Sequence, residues 1–179
     1  MPHYIALLRG VNVGGRTVKM DKLRAVLGKA GLTDVETLIA SGNVLFRTAS
    51  RSDAALEKKI EAALEQAFGF PIKTMVRSAA EMQAIAALEP FGPLGDDDTL
   101  HVAFLQGTPA KEALARVFAL RDSNTDMKLH GRELYYKVTG RFSDSVAFRS
   151  PIEKMLGVPM TVRNANTVRK LADRSAAQR

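Results

Sequence analysis

The chain has no cysteine, which rules out disulfides, thiol nucleophiles and cysteine-ligated zinc together. It has no tryptophan, and aromatic residues make up only 6% of it, so stacking surfaces for nucleobases are scarce. No run of 18 apolar residues occurs in its 179 positions, which excludes a membrane-spanning helix of that kind. The N-terminus leads directly into a strand instead of a charged segment, an apolar stretch and a cleavage site. A cytoplasmic protein without a membrane partner is the expectation.

Catalytic patterns are equally sparse. His3, His101 and His130 are far apart and match no metal-binding spacing, and no G-x-S-x-G elbow presents a serine nucleophile. Asp96, Asp97 and Asp98 form a carboxylate run next to proline and glycine, an arrangement that is ordinarily a solvated loop and not a cation site. The sequence therefore calls for no metal and no cofactor, and no catalytic residue can be named.

What the chain does have is apolar content of 46% and a net charge of +7, enough for real cores and biased toward anionic partners. Arg16, Lys19, Lys22 and Arg24 stand against Asp21 near the N-terminus, and Arg163, Arg169, Lys170, Arg174 and Arg179 against Asp173 near the C-terminus.

Periodicity predicts strand 4–8, helix 19–30, strands 35–40 and 43–48, helix 53–68 and strand 72–77. Met20, Leu23 and Leu27 fall on one helical stripe, and Leu56, Ile60, Leu64 and Phe68 on another. The same β-α-β-β-α-β order recurs as strand 100–105, helix 109–120, strands 126–130 and 133–138, helix 151–156 and strand 160–163. Ser78 with Glu81, and Ser150 with Glu153, read as capping boxes, and Thr108-Pro109 reads as a helix start. The implied fold is α+β: two ferredoxin-like halves with antiparallel sheets, at 1–78 and 99–163. A helical and Pro/Gly linker at 79–98 joins them, and a C-terminal helix with a basic tail occupies 164–179.

Strand one runs straight into Arg9-Gly10-Val11-Asn12-Val13-Gly14-Gly15-Arg16, a glycine-rich basic loop opening a helix. Such loops suit anions, because glycine admits close backbone approach and a helix start presents unpaired N–H groups. The spacing matches neither the dinucleotide fingerprint nor a Walker loop, and a plain chain reversal would use the same glycines. Ferredoxin-like pairing places the end of strand one beside the start of strand three, bringing this loop to the turn Ser41-Gly42-Asn43. Arg9, Asn12, Gly14, Gly15, Arg16, Ser41 and Asn43 are therefore the candidate ligand residues. Ordinary turn chemistry is the competing reading. Near the C-terminus, Arg163, Asn164 and Asn166 stand where a capped helix start could complete an anion site.

Arg9-Gly10-Val11-Asn12-Val13-Gly14-Gly15, Lys19-Met20 with Leu23, Ser41-Gly42-Asn43-Val44 with Phe46, and Arg163-Asn164-x-Asn166-Thr167 with Lys170-Leu171 together resemble the bacterial "domain of unknown function 1697" family. The resemblance implies a two-part fold of ferredoxin-like character and no known activity. The family usually has an aromatic at the position of Ala165, so a stacking role there is not carried over.

The functional expectation is a binding protein for a small phosphorylated ligand or nucleotide, with an enzyme acting on such a metabolite as an extension. Single-stranded nucleic-acid binding through the basic patches is the alternative, although strand three lacks the aromatic pattern of RNA-recognition modules. A purely structural or partner-binding role is a third. The sequence leaves the oligomeric state open.

Overall fold

The structure, a computed structural model, describes residues 1–39 and 42–177. Its first half comprises β1 (His3–Leu8), α1 (Met20–Lys29), β2 (Thr33–Thr37), β3 (Asn43–Arg47), α2 (Asp53–Phe68) and β4 (Thr74–Ser78), followed by α3 (Ala79–Ala87). The sheet order is β2-β3-β1-β4 with antiparallel neighbours, the ferredoxin-like arrangement. Leu23 and Leu27 of α1 and Leu56, Ile60 and Leu64 of α2 are buried with Tyr4, Ala6, Leu8, Val44, Phe46 and Val76 of the sheet. The alternate strand residues Ile5, Leu7, Leu45 and Met75 are buried as well, so both faces of this sheet are covered.

The second half comprises β5 (Asp98–Leu105), α4 (Lys111–Phe118), β6 (Thr125–His130), β7 (Glu133–Thr139), a 3-10 turn at Phe142–Asp144, α5 (Val146–Arg149), α6 (Ile152–Leu156) and β8 (Met160–Asn164). The C-terminal helix α7 (Ala165–Ala177) ends the described chain. Its sheet order, β6-β7-β5-β8, repeats the first. The repetition extends to single hydrogen bonds: Leu8 N donates to Gly42 O at 2.8 Å and Leu105 N to Arg132 O at 2.9 Å. Arg9 N donates to Lys73 O and Gln106 N to Pro159 O, both at 2.9 Å.

The outermost strands β4 and β8 leave N–H groups unpaired on one side, and carboxylates from the preceding helices accept them. Glu61 accepts from Thr74 N and Glu57 from Val76 N, each at 3.0 Å, while Glu153 accepts from Met160 N at 2.9 Å.

That use of Glu153 corrects one expectation. α6 has Pro151 at its N-cap with no side-chain cap, so the Ser150–Glu153 box does not form. α4 likewise starts two residues after the Thr108-Pro109 signal, at Lys111. The Ser78–Glu81 box is present: Ser78 N donates to Glu81 Oε2 at 2.7 Å and Glu81 N to Ser78 Oγ at 3.2 Å.

β2 sits earlier than its periodicity suggests. A register shift between Thr33 and Glu36 accompanies Asp34 at φ 48°, the mark of a bulge. Ile39 then turns out of the strand at φ 58°.

Two compact units emerge: Met1–Ala86 with the chain from Arg169 onward, and Ala87–Val168. The stretch 79–98, expected as a linker, is divided between them, as is α7. In the first unit Arg174 on α7 donates to both carboxylate oxygens of Glu36 on β2, at 2.8 and 2.9 Å, a bidentate clasp that returns the end of the chain to the N-terminal sheet. No helix among the described residues is long and apolar enough to cross a membrane.

Candidate functional site: the glycine-loop rim

The rim is built where β1 gives way to its loop. Gly42 lies at φ +80°, and a Cβ there would stand 2.9 Å from Leu8 Cβ and 3.3 Å from Val11 Cβ. Only glycine fits both the conformation and the space. Together with the Leu8–Gly42 hydrogen bond, this packs the turn directly against the root of the loop.

Within the loop, Gly10, Gly14 and Gly15 have φ of 67°, 59° and 82°, and Asn12 adopts the left-handed region at 58°. Asn12 tolerates that conformation better than most residues. Its N–H donates to Arg16 O at 3.0 Å, and its Oδ1 accepts from Val18 N at 2.8 Å. Buried Val11 and Val18 anchor the two ends, while residues 12–17 are exposed.

Beyond the loop, Lys19 occupies the N-cap of α1 without a side-chain cap hydrogen bond. The first-turn N–H groups of α1 therefore have no side chain of the N-cap residue as acceptor. Arg9, Arg16 and Lys19 are exposed, and the Arg16 guanidinium lies 5.4 Å from the centre of the Phe70 ring. Arg24 is committed elsewhere, to Asp21 and to Thr37 Oγ1. Lys22 Nζ donates to Ala67 O at 3.0 Å and stands over Phe68.

The turn's own residues divide. Asn43 is fully buried, and its Nδ2 donates to Leu38 O at 3.0 Å while Leu38 N donates to Asn43 O at 3.0 Å. It supports the turn from beneath. Ser41 lies outside the described residues. Exposed Ile39, at φ 58°, is a strained β-branched residue that no sequence signal marks.

Arg163, Asn164 and Asn166 belong to the second unit. Asn164 Oδ1 accepts from Thr167 N at 2.8 Å and so caps α7. Arg163 donates to Thr161 Oγ1 at 2.7 Å and Val162 O at 3.0 Å, and burial lowers its pKa to about 10. Asn166 is exposed on the first turn of α7.

Among the described residues no three His, Cys, Asp or Glu side chains form a metal-binding group. Asp98 is engaged by Thr139 Oγ1 at 2.6 Å and Gly95 N at 3.0 Å, which holds its carboxyl below the usual range. A groove of about 510 Å³ is lined by Val26 and Lys29 of α1, Ala30 after it, and Lys59, Gln66 and three alanines of α2. Its polar side chains are Lys29, Lys59 and Gln66, without the glycine backbone and arginines that equip the rim as the candidate.

A family model described as protein of unknown function (DUF1697) matches residues 1–135. The solved structure of a conserved bacterial protein from Streptococcus pneumoniae, 23% identical, superposes with a TM-score of 0.81 over 98% of this chain and 99% of that one. The likeness is one of fold. An unknown protein from Galdieria sulphuraria is 14% identical over 91% of this chain and 98% of that one, with a TM-score of 0.26, which carries no argument. No curated protein matches.

Proposed function

The chain belongs to the DUF1697 family, a family of unknown function, and on that premise we propose from the geometry of the rim that it is a cytoplasmic binding protein for a small phosphate-bearing anion. The observation that carries this reading is the tight join of loop and turn at Leu8 and Gly42. It brings a left-handed, glycine-rich backbone, an uncapped helix start and a set of exposed cations to one edge of the first unit. Arg9 and Arg16 supply charge-assisted hydrogen bonds, and Gly14 and Gly15 supply accessible N–H groups. Asn12 and buried Asn43 hold the loop and the turn in shape. None of these residues is a carboxylate or histidine, so the reading stops at binding and names no reaction.

A thermal-shift series with inorganic phosphate, nucleotides and phosphosugars, on wild type, Arg9→Ala and Arg16→Ala, tests it. A ligand at about 100 Kd should stabilise the wild type by roughly 2.7 kcal/mol and either variant by much less. Equal shifts in all three proteins, or none in the wild type, would remove the rim as the site.

A further inference from the structure

Three rings of the second unit follow one another toward solvent. His101 on β5 lies against Phe142 with centroids 4.1 Å apart and planes 24° apart, and Phe142 meets Phe148 edge to face at 5.8 Å and 71°. His101 and Phe142 are half-buried, whereas Phe148 is 60% exposed.

The segment carrying the last two rings is tied down. Ser145 Oγ donates to Phe142 O at 2.6 Å and accepts from Phe148 N at 3.2 Å. Phe148 is thus held without being buried, so little ordering remains to be done when a partner arrives. Exposed arginines flank the pair of rings: Arg141 precedes Phe142 and Arg149 follows Phe148. Arg149 meets Asp144 at 3.3 Å with both side chains mostly in solvent, a weak pair that an incoming phosphate can replace.

We propose that Phe148 is a stacking platform for a base of single-stranded nucleic acid, with Arg141 and Arg149 taking the neighbouring phosphates. The flanking side chains favour nucleic acid over a protein partner here: both are arginine, which pairs with phosphate bidentately and stacks on flat rings. Strand β3 cannot serve in the manner of an RNA-recognition sheet, because Phe46 is buried against Tyr4. The contact is therefore local, and it tolerates any sequence because every base offers a π-face.

The test is fluorescence anisotropy of a labelled oligo-dT and oligo-U of about 12 nucleotides, with a duplex of equal length as control. Wild type should bind the single strands and prefer them to the duplex. Phe148→Ala should bind roughly 5- to 150-fold more weakly with an unchanged Tm, Phe148→Tyr should recover binding, and Arg141→Ala should flatten the salt dependence by about one unit of slope. The proposal is overturned by equal binding of wild type and Phe148→Ala, by preference for the duplex, or by no binding at low salt. Loss of binding in Arg9→Ala but not in Phe148→Ala would also overturn it.

Discussion

Arg77 and Arg163 hold the same place in two different sheets. Arg77 on β4 lies opposite Ile5, three residues before the end of β1, and Arg163 on β8 lies opposite Val102, three residues before the end of β5. Each guanidinium donates to the carbonyl of the preceding valine, at 2.8 Å from Arg77 to Val76 and 3.0 Å from Arg163 to Val162. The segments Val76-Arg77-Ser78-Ala79 and Val162-Arg163-Asn164-Ala165 then correspond in sequence as well. Each passes through a cap, Ser78 or Asn164, that accepts the N–H three residues on. Register and capping together mark an internal repeat.

Arg77 is 1% exposed, so Arg77→Ala removes a large buried side chain and should destabilise the protein by about 2–4 kcal/mol. Arg163→Ala, at a half-buried position, should cost about 1–2 kcal/mol. Urea unfolding of both variants decides the order; a negligible loss for Arg77→Ala would contradict its burial.

Gly42 and Gly14 both have positive φ, but only Gly42 is crowded, since a Cβ at Gly14 meets nothing within 4 Å. Gly14→Ala should cost about 1–2 kcal/mol from backbone strain. Gly42→Ala adds overpacking and should cost about 2–4 kcal/mol. Equal Cm shifts in parallel denaturant titrations would mean that the turn is not packed on Leu8 and Val11.

Asn12 serves the loop in two separable ways, through its left-handed conformation and through its bond to Val18 N. Asn12→Gly keeps the conformation and should lose about 1 kcal/mol. Asn12→Ala loses both and should fall by about 2–3 kcal/mol. Tm values of the two variants should therefore rank Gly above Ala, and the reverse ranking would refute the αL role.

Burial lowers the pKa of His101 below the ordinary histidine value, so the folded state takes up its proton later than the unfolded chain does. Its contribution to stability is present above the unfolded pKa, about 6.5, and is lost as pH falls from there through the lower folded value. Tm measured between pH 7.5 and pH 5 should drop less in His101→Gln than in wild type. Parallel curves would show that His101 does not titrate with unfolding.

Much of this structure is legible in residue order alone, because local signals coincide with element ends. The stripe of Leu56, Ile60 and Leu64 between Ser52 and Gly69 defines α2 from Asp53 to Phe68, as a cap, a periodic face and a left-handed stop together require. The approach of the glycine loop to Gly42 follows likewise, since β-α-β-β-α-β order dictates which strand ends are neighbours. Other features depend on partners distant in sequence. Glu153 looks like a cap yet accepts the outer N–H of Met160 on β8, and Asn43 looks like a turn ligand yet lies buried beneath Leu38. Phe148 sits on a four-residue helix too short to show periodicity, and its exposure is set by Phe142 and His101. Sequence by itself determined the longer helices and strands, their β-α-β-β-α-β order and the charges, because these rest on contacts within a few residues. Only the tertiary structure decided which polar groups are already engaged and which remain exposed, because hydrogen bonds and burial are settled between segments that composition and spacing do not connect.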